Sequence, residues 1–120
     1  MKALIDTNFM LIPGQTKTDI FTVLREYELV TLDLCIRELE KLAENKGKKG
    51  EYARVGIQLI NKNKVKIIKS GKKTTDKAIL EYAQKNNCAV ATNDRKLIAG
   101  LKKNGVKVIR LRQKKLILVE

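Results

Sequence analysis

The chain has 120 residues and a mass of 13.6 kDa, enough for one domain, and its 43% of hydrophobic residues can build a core without disulfide bonds. Lys and Arg number 26 against 13 Asp and Glu, so the formal net charge of +13 favours polyanionic partners, nucleic acid first. The chain contains no His, which excludes imidazole acid–base chemistry, and its 4% of aromatic residues provide little for base stacking.

Apolar patterning predicts strands and helices that alternate along the chain. In order, we expect a strand at 3–5, a helix at 18–27, a strand at 29–32, a helix at 34–43 capped by Asp33, a basic loop at 46–50, a helix at 51–61, a strand at 65–68, a helix at 75–86, a strand at 88–91, a helix at 95–103 stopped at Gly105, and strands at 106–111 and 116–119. This alternation predicts an α/β fold, a three-layer α/β/α sandwich with a mostly parallel sheet, as a single domain over 1–120. The last strand is expected to be antiparallel or to pair with a second copy.

Cysteine usage and hydropathy bear on the compartment. Cys35 and Cys88 each lie in an apolar segment, and we interpret both as packing residues of a reduced protein. No apolar run approaches the roughly 20 residues that span a bilayer. The first residues carry an acid too early for a signal peptide. A cytoplasmic protein with no membrane partner is expected.

Two acids follow predicted strands directly. Asp6 comes after the strand at 3–5, and Asp94 follows the strand at 88–91 by a short turn, Thr92-Asn93. In open parallel sheets, sites form at the carboxyl ends of the strands. The ordinary alternative for each is a helix cap, since Asp is common there.

Helical wheels add two more acids. At about 100° per residue, Glu38 falls between Leu34 and Leu42, and Asp76 and Asp94 fall within the apolar arcs of their helices. Burying an uncompensated carboxylate costs several kcal/mol. A helix dipole can explain an acid in the first turn, but it does not explain Glu38 in mid-helix.

If Asp6, Glu38, Asp76 and Asp94 share one pocket, a positive charge must lie among them. Two carboxylates about 5 Å apart repel by about 3 kcal/mol at an effective dielectric constant of 20. Protonation, a Lys or Arg side chain, or a divalent ion could relieve this repulsion. Oxygen ligands without His favour Mg²⁺ or Mn²⁺, which bind phosphate oxygens and activate water for attack on a phosphodiester.

The same residues resemble the PIN domains, which are metal-dependent ribonucleases. The segments that carry the resemblance are LIDTN at 4–8, Arg37-Glu38-Leu39, TDKAIL at 75–80 and ATNDRKL at 91–97. The resemblance implies that Asp6, Asp76 and Asp94 are catalytic metal ligands. It also implies that Glu38 completes the catalytic cluster through water, with Asn8 and Thr92 as polar supports, although a turn or cap role is open for both.

The resemblance also suggests a subfamily. The segment between Glu38 and Asp76 is more compact than expected of VapC-type toxins. That compactness and the basic tail at 110–115 favour archaeal PIN proteins similar to ribosomal RNA processing nucleases.

Basic residues supply the candidate nucleic-acid interface. The candidates are Lys46, Lys48, Lys49, Lys72, Lys73, Arg95 and Lys96. Lysine contacts to phosphates bind without reading sequence. The alternative is a lysine-rich solvated surface.

The sequence therefore predicts an endoribonuclease dependent on Mg²⁺ or Mn²⁺ that hydrolyses structured or ribosomal RNA. Two alternatives stay open: a non-catalytic RNA-binding module of ribosomal or ribosome-assembly type, and the ribonuclease toxin of a toxin–antitoxin pair. A homodimer and a ribosome-assembly or antitoxin partner are compatible with the sequence.

Overall fold

The computed structural model describes residues 1–71, 73–112 and 115–119 of the chain. The strands are β1 (Lys2–Ile5), β2 (Glu28–Leu32), β3 (Lys66–Ile68), β4 (Ala89–Ala91), β5 (Val108–Arg112) and β6 (Lys115–Val119). The helices are α1 (Ile12–Thr16), α2 (Ile20–Val23), α3 (Asp33–Ala43), α4 (Lys48–Lys62), α5 (Thr75–Asn86) and α6 (Arg95–Lys103). A single 3-10 turn, Phe9–Leu11, precedes α1.

The strands form one sheet in the order β3-β2-β1-β4-β5-β6. The first five are parallel, and β6 runs antiparallel to β5. The chain builds the sheet outward from β1 to β3 and then crosses back to β4. Connections between parallel strands are right-handed, so the helices lie on one face while strands are added in one direction and on the other face when strands are added in the opposite direction. The helices α1–α4 therefore cover one face of the sheet, and α5–α6 cover the other. The predicted α/β/α sandwich with a mostly parallel sheet is confirmed.

The core lies on both faces of the central strands. Leu4 and Ile5 of β1 and Val30 and Val90 of its neighbours are fully buried, as parallel strands with two covered faces require. Cys35 and Cys88 are buried free thiols, and burial raises the pKa of each to about 11, as expected of packing residues. No helix in the described ranges is long and apolar enough to cross a bilayer.

The segment after β1 differs most from the predicted elements. The predicted helix at 18–27 is only the four residues of α2, and residues 9–16, for which the sequence pattern predicts no element, form the 3-10 turn and α1. Asp19 caps α2 by accepting hydrogen bonds from the amides of Phe21 and Thr22. The helix then ends because the chain must reverse into β2 at Glu28, a tertiary constraint that helical periodicity does not contain.

The predicted basic loop at 46–50 is also too long. The helix α4 begins at Lys48, so Gly50 lies inside it, where the carbonyl of Asn45 occupies the place of a Cβ atom. Asp33 is the first residue of α3 rather than its N-cap. Its carboxylate accepts hydrogen bonds from the Ser70 amide at 3.1 Å and the Ser70 hydroxyl at 2.5 Å, and so joins α3 to the segment after β3.

Candidate active site

Asp6 lies between the two halves of the sheet, at the point where the direction in which the chain adds strands changes. It follows β1, and its backbone N–H donates to the carbonyl of Ala91, the last residue of β4, at 3.2 Å. The strands β1 and β4 flank the point at which the chain crosses from one half of the sheet to the other. In open α/β sheets this crevice at the carboxyl ends of the strands is the usual place for a site.

The Asp6 carboxyl is buried, with 4% of the residue exposed. Its Oδ1 accepts a hydrogen bond from the Phe9 backbone N–H at 2.7 Å, and its Oδ2 accepts one from the Thr92 hydroxyl at 2.5 Å. The pKa of Asp6 is raised from 3.8 to about 6, mainly by burial and to a smaller extent by the negative charges of Asp94 and Asp76, while the two hydrogen bonds lower it. A carboxyl whose charged form is disfavoured this way gains from a nearby cation.

Thr92 joins the two acids at this crevice. Its hydroxyl donates to Asp6 and accepts a hydrogen bond from the Asp94 backbone N–H at 3.1 Å. The side chain is fully buried, which is tolerated because the hydroxyl has both a donor and an acceptor partner. Thr92 therefore fixes the position of Asp6 relative to Asp94.

Asp94 caps α6. Its Oδ1 accepts hydrogen bonds from the amides of Lys96 at 3.0 Å and Leu97 at 3.5 Å. The capping alternative is therefore realised at this position. Both bonds go to Oδ1, so capping does not occupy Oδ2.

Asp76 and Glu38 approach from the other helices. Asp76 lies in the first turn of α5 with an exposed side chain, near enough to Asp6 for its charge to raise that pKa. Glu38 of α3 accepts a hydrogen bond from the hydroxyl of Thr75, the residue before Asp76, at 2.6 Å. The four acids thus belong to one edge of the sheet.

The burial that the helical wheels predict is correct for Asp94, which is half-buried. It is wrong for Glu38 and Asp76, which are exposed. The buried face of α3 centres on Cys35 and Leu39, so Glu38 lies at its margin. In α5 the buried side chains likewise lie to one side of Asp76. A wheel gives an angle around the axis but not where along the helix the covering layer ends.

The chemistry of the acids suits a hard cation. Their donors are carboxylate oxygens, which Mg²⁺ and Mn²⁺ prefer. Within the described part of the chain, no group of three or more acidic or cysteine side chains is arranged so that it could hold a metal ion. The fit to a metal therefore rests on the donor type and on the raised pKa of Asp6, which burial causes first and the charges of Asp94 and Asp76 increase. The side chains must rotate toward an ion.

Two buried hydroxyl groups near the acids are not predicted from the sequence. The Thr31 hydroxyl donates to the Ile5 carbonyl at 2.8 Å, and the Thr7 hydroxyl donates to the Cys35 carbonyl at 3.3 Å. Both threonines are buried. A Thr inside an apolar strand is an available sequence signal for Thr31. Asn8, expected as a support, is exposed, and its side chain makes no hydrogen bond to an acid in the described residues.

The candidate basic residues are dispersed. Lys46, Lys48 and Lys49 are exposed where α3 turns into α4, and Arg95 and Lys96 are exposed at the start of α6 beside Asp94. Lys73 forms an ion pair with Glu81. Lys72 lies outside the described residues.

Comparison with known proteins gives a consistent result. Residues 3–114 match the family model described as a PIN-like domain. Ribonuclease VapC4 of Methanocaldococcus jannaschii is 34% identical over 95% of this chain and 92% of its own length. Ribonuclease VapC9 of Archaeoglobus fulgidus is 32% identical over 98% of this chain and 88% of its own length.

The fold also matches a solved structure. A domain of a functionally unknown protein from Methanocaldococcus jannaschii superposes with a TM-score of 0.60, covering 92% of this chain and 91% of that one at 21% identity. At that identity the likeness supports the fold alone.

Proposed function

Because this chain belongs to the PIN-like domain family, we propose that it is an endoribonuclease that depends on a divalent metal ion. Two relatives above 30% identity are ribonucleases, and each aligns over nearly its whole length. The observation that carries the proposal is the hydrogen-bonded unit of Asp6, Thr92 and Asp94 at the reversal point of the sheet.

The relatives favour a toxin over a ribosomal RNA processing enzyme. Taken alone, the compact segment between Glu38 and Asp76 disfavours a toxin. Both VapC ribonucleases align with this chain over about nine-tenths of their length, so that segment is no departure from them. We therefore propose a VapC-type toxin that cleaves RNA and is held inactive by an antitoxin protein.

Asp6, Asp76 and Asp94 would hold the metal ion, Mg²⁺ or Mn²⁺ by donor type. The bound ion supplies a Lewis acid for a phosphate oxygen and a water of lowered pKa. Thr92 keeps Asp6 oriented by its hydroxyl, and the Phe9 N–H holds the other oxygen. Glu38, which accepts a hydrogen bond from Thr75, would orient the attacking water.

The basic surface would gather the RNA. Its positive charge of +13 overall releases counterions from the phosphate backbone. The lysines at the α3–α4 turn, Lys72, Lys73, Arg95 and Lys96 are the proposed contacts. Lys73 contributes least, because Glu81 neutralises it.

The test is a cleavage assay on labelled single-stranded RNA with Mg²⁺, Mn²⁺ or EDTA. Asp6→Asn and Asp94→Asn are expected to lower the cleavage rate about 100-fold or more, since even outer partners of metal ligands are worth about 10–100-fold. Asn is as good an N-cap as Asp, so Asp94→Asn leaves α6 capped and removes only the charge.

Asp19→Asn is the matched control. Asp19 also caps a helix, but it is exposed and belongs to α2, so this variant is expected to cleave at the wild-type rate. Cleavage that survives EDTA and both active-site variants would refute the proposal. RNA binding without cleavage under every metal condition would instead support a non-catalytic RNA-binding module.

A further inference from the structure

A basic cleft lies between α6 and β5. It has a volume of about 540 Å³ and is lined by Arg95 and Lys102 of α6 and by Arg110 and Arg112 of β5. Its remaining lining is apolar, including Ile98. The cleft is open to solvent, since Arg95, Lys102 and Arg112 are exposed and Arg110 is half-buried.

The charged side chains described in the lining of the cleft are all positive. Among the described residues, no Asp or Glu lines it, and the ion pairs found there, Arg37 with Asp33 and Lys73 with Glu81, lie elsewhere. The chain has six arginines and 20 lysines, yet three of the four cations of the cleft are arginines. The planar guanidinium group binds a phosphate through two parallel hydrogen bonds, which an ammonium group cannot do.

Asn93 fixes this cleft beside the acids. It lies between Thr92 and Asp94, and its side chain makes two reciprocal hydrogen bonds with the backbone of Leu111. Nδ2 donates to the Leu111 carbonyl, and the Leu111 N–H donates to Oδ1, each at 3.0 Å. Leu111 is the residue between Arg110 and Arg112. The turn that carries Asp94 is therefore tied to the strand that carries both arginines.

The wall of the cleft that α6 forms also begins beside the acids. Arg95 follows Asp94 directly, and Asp94 caps the helix from which Arg95 and Lys102 extend. Both walls thus begin at the candidate active site. A chain of phosphates that places one phosphate at the acids can continue into the cleft without leaving the protein surface.

We propose that the α6–β5 cleft binds the phosphate backbone of the RNA substrate next to the bond that is cleaved. This inference rests on the proposed ribonuclease function and adds to it a docking surface distinct from the lysines of the α3–α4 turn. Because the contacts are to phosphates, the cleft raises affinity and fixes the path of the strand without selecting its sequence.

The test compares two double variants that remove the same charge. Arg110→Gln/Arg112→Gln removes both positive charges that β5 contributes to the cleft. Lys103→Gln/Lys107→Gln removes two exposed lysines that do not line it. Binding of a short fluorescein-labelled single-stranded RNA is measured by anisotropy in EDTA between about 50 and 200 mM salt, and cleavage is measured separately with Mn²⁺.

The arginine variant is expected to raise the Kd about tenfold or more, as the loss of charge-assisted hydrogen bonds predicts. The salt dependence, log Kd against log salt, should lose about 1.4 in slope, since each single-strand phosphate contact contributes about 0.7. KM should rise with kcat unchanged. The lysine variant is expected to behave as wild type, and the single variant Arg112→Gln gives a milder form of the same effect if the double variant unfolds.

Equal weakening by the two double variants would overturn the proposal, because binding would then follow net charge alone. Wild-type RNA binding by the arginine variant would also overturn it and would leave the cleft to an acidic protein partner. If the wild-type protein binds RNA but never cleaves it, the ribonuclease proposal fails, while the anisotropy comparison still decides whether the cleft holds RNA.

Discussion

Asp6→Asn should stabilise the metal-free protein at neutral pH, although it removes a proposed metal ligand. The wild-type carboxyl is buried and its pKa is raised from 3.8 to about 6. The amide is neutral at every pH and nearly isosteric. Its oxygen can still accept the hydrogen bond from the Phe9 N–H. The substitution therefore removes a buried charge while keeping the local packing.

The magnitude follows from the pKa. A group whose pKa is higher in the folded than in the unfolded state favours folding below the unfolded pKa, and that contribution is lost as the pH rises through the folded pKa. The shift of about two pKa units corresponds to about 3 kcal/mol at 1.36 kcal/mol per unit. The free energy of unfolding of Asp6→Asn relative to wild type should therefore rise by about 2.5 kcal/mol between pH 4 and pH 7, because a small part of the full effect is already present at pH 4.

The assay is urea unfolding followed by circular dichroism at constant ionic strength in EDTA. The difference between variant and wild type isolates Asp6, because the other titrating groups are common to both proteins. Asp19→Asn is the control of opposite sign: hydrogen bonds from Thr22 lower the pKa of Asp19, so this variant loses stability relative to wild type as the pH rises through the acid range and changes little above pH 5.

Metal addition should act on the wild-type protein alone. Mn²⁺ should raise the free energy of unfolding of the wild-type protein and leave Asp6→Asn nearly unchanged, since an ion that binds only the folded state stabilises it by an amount that grows with the logarithm of the ion concentration divided by Kd. A difference between variant and wild type that stays constant within about 1 kcal/mol from pH 4 to pH 7 would refute the assignment of a buried, charge-repelled carboxyl at Asp6.

Three further outcomes are expected. Thr92→Val should lower kcat by about 10–100-fold in the Mn²⁺ cleavage assay by releasing Asp6, with Thr92→Ser near wild type; equal activity of the two would deny the hydroxyl a role. Gly56→Ala should lower the free energy of unfolding by about 1–3 kcal/mol, because its Cβ would lie 2.6 Å from a backbone carbonyl oxygen, whereas Gly100→Ala, with nothing within 4 Å, should raise it by about 0.5–1 kcal/mol; chemical denaturation of both tests this. Asp33→Asn should lower the free energy of unfolding at pH 7 by about 1–2 kcal/mol, and this loss should shrink as the pH falls below 4, since hydrogen bonds lower the pKa of that carboxyl in the folded protein; a loss independent of pH would contradict this.

Local sequence patterns are sufficient to predict the bounds of an element that is long or fully buried. The helix bounds of α5 and α6 agree with the sequence prediction at 75–86 and 95–103, and Gly105 ends the latter with a φ of +73°. The strands were located to within two residues because each is a short apolar run. Periodicity and turn residues act within a few positions, so no knowledge of the rest of the chain was needed.

Tertiary constraints decided the segment after β1. Residues 9–16 fold into a 3-10 turn and a short helix that pack on α4, and Gly14 allows close approach because a Cβ there would lie 2.8 Å from the Cα of Tyr52. Nothing in the local pattern of this stretch indicates that contact. The prediction that Glu38 is buried is wrong for the same reason, since the elements that pack on α3 decide how much of that helix is covered.

The sequence by itself determined the α/β class, the excess of positive charge and the positions of Asp6 and Asp94 at strand ends. Only the tertiary structure decided that Thr92 bonds to both acids, that Asn93 ties their turn to Leu111, and that a cleft rich in arginine opens beside them. The physical reason is that strand order and crossover direction bring together groups far apart in the chain. Hydrogen bonds of 2.5–3.0 Å between them depend on that convergence and leave no periodic signal in the sequence.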